Sequence, residues 1–165
     1  MNPPSIFACM LAGLIALPSV VSAHNPGARS DSTPAPQITE QGKPVVTVVE
    51  QFAAALKSGD LKRAGDLLAD DVLILESGGA EHSRQEYLDH HAPADTAFLK
   101  DAQIDVKRRT ASVGGEFAWV GTESDLRTIR DGQPISLLTT ETAVLKRTAG
   151  GWQIVHIHWS SHPKR

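Results

Sequence analysis

Residues 152–161 read Trp-Gln-Ile-Val-His-Ile-His-Trp-Ser-Ser. The stretch is β-branched and aromatic, and it alternates with period two. Trp152, Ile154, His156, His158 and Ser160 fall on one side; Gln153, Val155, Ile157, Trp159 and Ser161 fall on the other. Both sides are apolar enough to need cover, so the spacing predicts a central strand of a sheet. Helices would cover one face, and a second copy of the chain is the candidate for the other.

The segments before it extend the pattern. Residues 102–113, 116–129 and 135–147 read as strands, separated by Gly114-Gly115, Asp131-Gly132 and Gly150-Gly151. Asp-Gly between alternating strands is a strong hairpin signal. Four long strands in an antiparallel meander follow. Upstream the period becomes helical. Pro44 suits a first helical position, and Val45, Val48, Val49, Phe52, Ala53 and Leu56 share one face of a first helix. Gly59 stops it. Asp60 caps a second helix with Leu61, Ala64, Leu67 and Leu68 inward. Residues 72–75 form a short strand ending at Glu76, and Ser77-Gly78-Gly79 turns the chain. Ser83 and Glu86 have capping-box spacing for a third helix, which Pro93 should end near His91. Three helices followed by strands define an α+β domain.

The chain has 165 residues and a net charge of −3. Charges of both signs are interspersed without a basic stripe, which argues against nucleic acid or an anionic membrane surface as partner. Residues 1–23 carry no Asp, Glu, Lys, Arg or His. The apolar run from Ile6 to Leu17, Pro18 and the Val21-Ser22-Ala23 site read as a cleaved export signal, too short to span a membrane. A periplasmic or secreted protein beginning at His24 is expected, with no membrane attachment after cleavage. Cys9, the single cysteine, lies in that run, so the exported chain has no thiol for a disulfide, a metal or catalysis. Residues 24–43 are rich in Pro, Ser, Gly and Thr and read as a disordered tether. The folded domain is expected over 44–162.

The helix VVEQFAAALKSGDLKRAGDLLADDV and the ending GWQIVHIHWSS resemble the nuclear transport factor 2-like superfamily, including the SnoaL-like proteins. The ending also resembles the last strand of the calcium/calmodulin-dependent kinase II association domain. The resemblance covers about residues 44–161. It implies a cystatin-like cone: three N-terminal helices closing a pocket against the concave face of a curved antiparallel sheet. Pocket candidates are then Phe52, Tyr87, His90, His91, Trp119, Ile157 and Trp159, with Glu76 at the end of the short strand. Trp159 matches a cavity-lining position of the kinase domain, which by alternation puts Val155 and Ile157 inward. His156 and His158 go to the convex side, where many relatives dimerise.

Ketosteroid isomerase, a member of the superfamily, uses an aspartate base just after its short strand, near Glu76 here. A carboxylate beside apolar groups would have the raised pKa that a proton-transferring base needs. The same enzyme's tyrosine position aligns with Phe52, and its protonated aspartate falls near Ala143. Neither residue can stabilise an enolate oxygen, so steroid-isomerase chemistry is not expected. Glu76 reads equally well as a solvated carboxylate at a strand end.

His156 and His158 lie about 6.5–7 Å apart along one strand face, a spacing that could serve a zinc or copper ion given a third ligand. No HExxH or similar motif is present, and structural histidines are the preferred reading. Lys107-Arg108-Arg109 should alternate across a strand and be solvated. The expected function is binding of a small apolar or mixed-polarity molecule by a homodimer. Any chemistry would be cofactor-free, isomerase- or dehydratase-like, with Glu76 as base and Tyr87, His90 or His91 as donors. Two alternatives stay open: a non-enzymatic assembly module and a periplasmic metal-binding protein.

Overall fold

The computed structural model describes residues 38–164 apart from Asp131, and these all fall in one compact unit. The expected export signal and most of the expected tether lie outside the described residues. Order starts ahead of Pro44: Gly42 N–H donates to the Thr39 carbonyl at 2.9 Å, and Ile38 packs against the core.

The helices are α1 (Lys43–Ser58), α2 (Leu61–Leu67), α3 (Arg84–His90) and α4 (Ala92–Leu99). Their boundaries follow local chemistry. Gly59 takes the left-handed conformation (φ 80°) that ends α1. The Asp60 carboxylate accepts from Arg63 N–H at 2.9 Å and starts α2. Ser83 Oγ accepts from Glu86 N–H at 3.1 Å, while the Glu86 carboxylate accepts from His82 N–H at 2.7 Å, closing a box at the start of α3.

The fourth helix corrects the sequence expectation. Pro93 does not simply end a helix; it opens one. It sits in the first turn of α4, where an N–H would find no partner inside the helix and a fixed φ helps. His91 is the corner shared by α3 and α4.

One six-stranded sheet has the order β2-β1-β6-β5-β4-β3. Its strands are β1 (Leu68–Glu76), β2 (Gly79–Glu81), β3 (Gln103–Gly114), β4 (Phe117–Arg130), β5 (Gln133–Thr148) and β6 (Gly151–Pro163). The long strands β3 to β6 form the expected meander, and β6 is interior. The sheet is mixed rather than wholly antiparallel, because β1 runs parallel to β6. That parallel pairing brings Glu76 beside Trp159.

The simple alternation of β6 breaks at Val155. Leu145 pairs with Ile154 and Val144 with His156, so Val155 is the extra residue of a bulge. Trp152 and Ile154 therefore join Ile157 and Trp159 on the helix-covered face, while His156 and His158 remain on the convex one. Ile154 and Ile157 are both fully buried. The core they share runs through Val45, Val49, Phe52 and Leu56 of α1, Val72 and Ile74 of β1, and Val120 and Leu145 of the meander.

Trp119 also departs from expectation. Its neighbours Ala118 and Val120 point into the core, so Trp119 stands on the convex face, 44% exposed. Phe117 accompanies it at 51%.

Candidate functional site

Pairing register assembles a single row across the concave face. Glu76 pairs with Trp159, Trp159 with Glu141, Glu141 with Thr122, and Thr122 with Arg109. Directly paired residues share a face, so five strands each contribute one side chain to the same line. Below it, Ile74, Ile157, Ala143, Val120 and Ala111 form an apolar row by the same pairing. The row of five lines a cavity of about 790 Å³. Val49, Phe52 and Leu56 of α1 and Asp95, Phe98 and Leu99 of α4 supply its helical wall.

Three aromatic rings support this wall. Phe52, Tyr87 and Trp159 have centroids 6.2–6.4 Å apart, and Phe52 stacks on Trp159 at 10° between planes. Such contacts add to the area they bury. The triangle fixes Trp159, whose Nε1–H donates to the Glu141 carboxylate at 2.7 Å. It also fixes Tyr87, whose hydroxyl donates to Asp95 at 2.8 Å.

Three carboxyl groups thus border one largely apolar space, and all are held above their ordinary range. Burial is the main cause for Glu76, and the nearby Asp95 charge pushes it further up while His91 pulls it down. Burial dominates for Asp95 too, against the Tyr87 hydrogen bond and His91. Glu141 is raised by burial, with the Trp159 hydrogen bond and the Arg109 charge opposing. Tyr87 is raised well above the usual phenol, first by burial and then by Asp95. The site holds carboxyl groups whose pKa values are raised in a largely apolar cavity, the direction that suits a carboxylic acid that donates or a carboxylate that accepts a proton.

Of the residues expected from sequence, Glu76, Phe52 and Trp159 line the cavity. Tyr87 stands behind the wall, fully buried, and reaches the site through Asp95. Ile157 is core beneath it. His91 turns to the buried Glu81 carboxylate, which its Nδ1 contacts; it acts on the cavity acids only as a neighbouring group. His90 is exposed at the end of α3 and meets none of them. Trp119 lies across the sheet from the cavity. His156 Nδ1–H donates to the Leu73 carbonyl at 2.8 Å, a structural bond on the convex side.

Sequence reasoning missed Asp95, Glu141 and Arg109. Asp95 needed α4, which the reading of Pro93 concealed. Glu141 lies two residues before Ala143 on the same strand face, so the acid absent at Ala143 is supplied one pair along. Arg109 is not solvated: a bulge at Lys107 turns it inward, and its side chain is 15% exposed.

A helix-roofed cone with acids in its cavity defines the protein's class. The family model for the SnoaL-like domain matches residues 45–163, and the chain belongs to the SnoaL-like family. Among solved structures it is similar to a candidate ketosteroid isomerase from Shewanella frigidimarina, 39% identical, covering 69% of this chain and 92% of that one with a TM-score of 0.67. An NTF2-like protein with a cystatin-like fold from Novosphingobium aromaticivorans is 18% identical over 71% and 79% of the two chains, with a TM-score of 0.59. The calcium/calmodulin-dependent kinase II hub of S. rosetta is 20% identical over 75% and 98%, with a TM-score of 0.64. The last two are likenesses of fold. A comparison with curated protein sequences found no match.

The raised Glu141 carboxyl fixes the sign of a pH effect. Protonation favours the fold, so this contribution is complete below the ordinary glutamate range and is lost as pH rises through the raised value. Glu141→Gln keeps the shape and the acceptor for Trp159 but cannot ionise. Urea unfolding between pH 4 and 8 should show the variant gaining stability over the parent as pH rises. A difference that stays constant or shrinks would place Glu141 in an ordinary solvated setting.

Proposed function

We propose that this chain binds a small molecule of apolar or mixed polarity in the cone and moves a proton on it without a cofactor. The supporting observation is the row Glu76–Trp159–Glu141 in an apolar cavity. Glu76 is half-buried and lines the space, so it is the base. It removes a proton from the carbon next to a carbonyl, and the electron pair moves to the carbonyl oxygen. Protonated Glu141 donates a hydrogen bond to that developing oxyanion, the role that Phe52 and Ala143 left unfilled. Asp95, steadied by Tyr87, sets the charge that Glu76 feels. Returning the proton to another carbon completes an isomerisation; giving it to a β-hydroxyl, which then leaves as water while the electron pair returns from the oxygen to form the carbon–carbon double bond, completes a dehydration. SnoaL-like membership and likeness to a candidate ketosteroid isomerase support this class of chemistry. The apolar N-terminal run and the site after Ala23 support action outside the cytoplasm.

Exchange of the α-hydrogens of 2-tetralone with heavy water, followed by NMR, tests the reading without presuming a natural substrate. Glu76→Gln should slow the catalysed exchange by about 10²- to 10⁴-fold and shift stability by less than about 1 kcal/mol. Equal exchange by parent and variant would remove Glu76 from the chemistry.

The exposed Trp119 and Phe117, with Leu138 further along the same convex face, favour a second, compatible reading: this face pairs with a second copy. Light scattering should give a dimer at micromolar concentration and a monomer for Trp119→Asp. A monomeric parent would refute the pairing.

A further inference from the structure

Arg109 is unusual among the cations that line the cavity. Lys57 is bound to the Ala102 carbonyl at 2.7 Å, and Arg130 is exposed at the far end of β4. The Arg109 side chain is largely enclosed, on the floor of the cavity. Its Nε–H donates to Thr122 Oγ1 at 3.2 Å, and its Nη1 meets the Glu50 carboxylate at 2.6 Å. Nη2 makes no hydrogen bond among the described residues. Glu50 reaches over from α1 and is 56% exposed. An ion pair with so hydrated a partner, made through one nitrogen, contributes little. A guanidinium is built for two parallel bonds to a planar carboxylate. Ser124 and Thr139 continue the polar floor beside Thr122.

We propose that the molecule taken by the cavity is an organic acid with an apolar body, and that its carboxylate binds Arg109 in place of Glu50. The inference rests on the ligand-binding reading above and adds the ligand's charge. The Phe52 and Trp159 rings and Leu126 hold the apolar body. Glu50 then works as a replaceable counter-ion: it neutralises Arg109 when no ligand is present and swings to solvent, which already hydrates it, when one arrives. Arg109 is thereby a specificity residue; it handles no proton itself, although its charge holds Glu141 lower than burial alone would.

The test uses two probes of nearly the same shape, 2-naphthoate and 2-naphthylmethanol, with binding to the full chain followed by calorimetry. The parent should bind the acid about tenfold or more tighter than the alcohol. Arg109→Gln should bring the two affinities to within about twofold, with alcohol binding retained as the sign that the cavity is intact. Glu50→Gln carries the sharpest expectation, because removing a competitor should tighten the acid about three- to tenfold and leave the alcohol unchanged; a purely structural Glu50–Arg109 bridge would weaken both or move neither. Equal binding of acid and alcohol by the parent overturns the inference and leaves the ligand-binding reading standing. Weakened or unchanged acid binding in Glu50→Gln does the same. If neither probe binds the parent, the inference and the ligand-binding reading fall together.

Discussion

Everything at the candidate site depends on backbone register. Five strands are paired so that Glu76, Trp159, Glu141, Thr122 and Arg109 stand in one line. A slip of one residue would send a strand's whole inward set to the other face. The register is set by the apolar row beneath, where Ile74, Ile157 and Val120 are each almost completely buried. The hydrophobic core thus positions the row of cavity side chains directly. The parallel pairing of β1 with β6 contributes the final member, because an antiparallel neighbour would have carried Glu76 to the opposite end of the sheet.

The row works against the stability that the core provides. Carboxyl groups in an apolar enclosure lose hydration, and an ionised one there is costly unless something compensates. Compensation here is partial: Trp159 for Glu141, Tyr87 for Asp95, His91 at a distance for Glu76. The remaining cost appears as raised pKa values rather than as new ion pairs. A purely structural design would fill these positions with aliphatic side chains. Their presence around a cavity of this size marks it as the candidate site.

The fold was largely legible in the sequence, and the site only partly. Alternation in residues 152–161 and the Gly-containing turns define the meander, while caps at Asp60 and Ser83 mark two helices. Bulges carry no comparable signal. The extra residues at Val155 and Lys107 keep the composition of a strand while reversing which residues face in. Alternation alone therefore puts Ile154 on the wrong face and leaves Arg109 as a solvated residue. Pro93 is ambiguous for another reason: the same fixed φ that ends one helix suits the first turn of the next. Asp95 went unseen as a consequence. Trp119 shows the limit of residue type as a guide, since an aromatic on a strand suits a pocket and an interface equally, and only the burial of Ala118 and Val120 decides between them.

Burial in the cavity raises the pKa values of Glu76, Asp95 and Glu141, which is open to direct measurement. NMR titration of the protein with carbon-13 in the Asp and Glu side-chain carboxyls reads this directly, with Glu141→Gln, Glu76→Gln and Asp95→Asn used to assign the resonances. The three signals removed by these substitutions should titrate at higher pH than the exposed carboxylates, and Glu76 should titrate lower once Asp95 is Asn. Three cavity signals that titrate together with the exposed carboxylates would contradict this effect of burial.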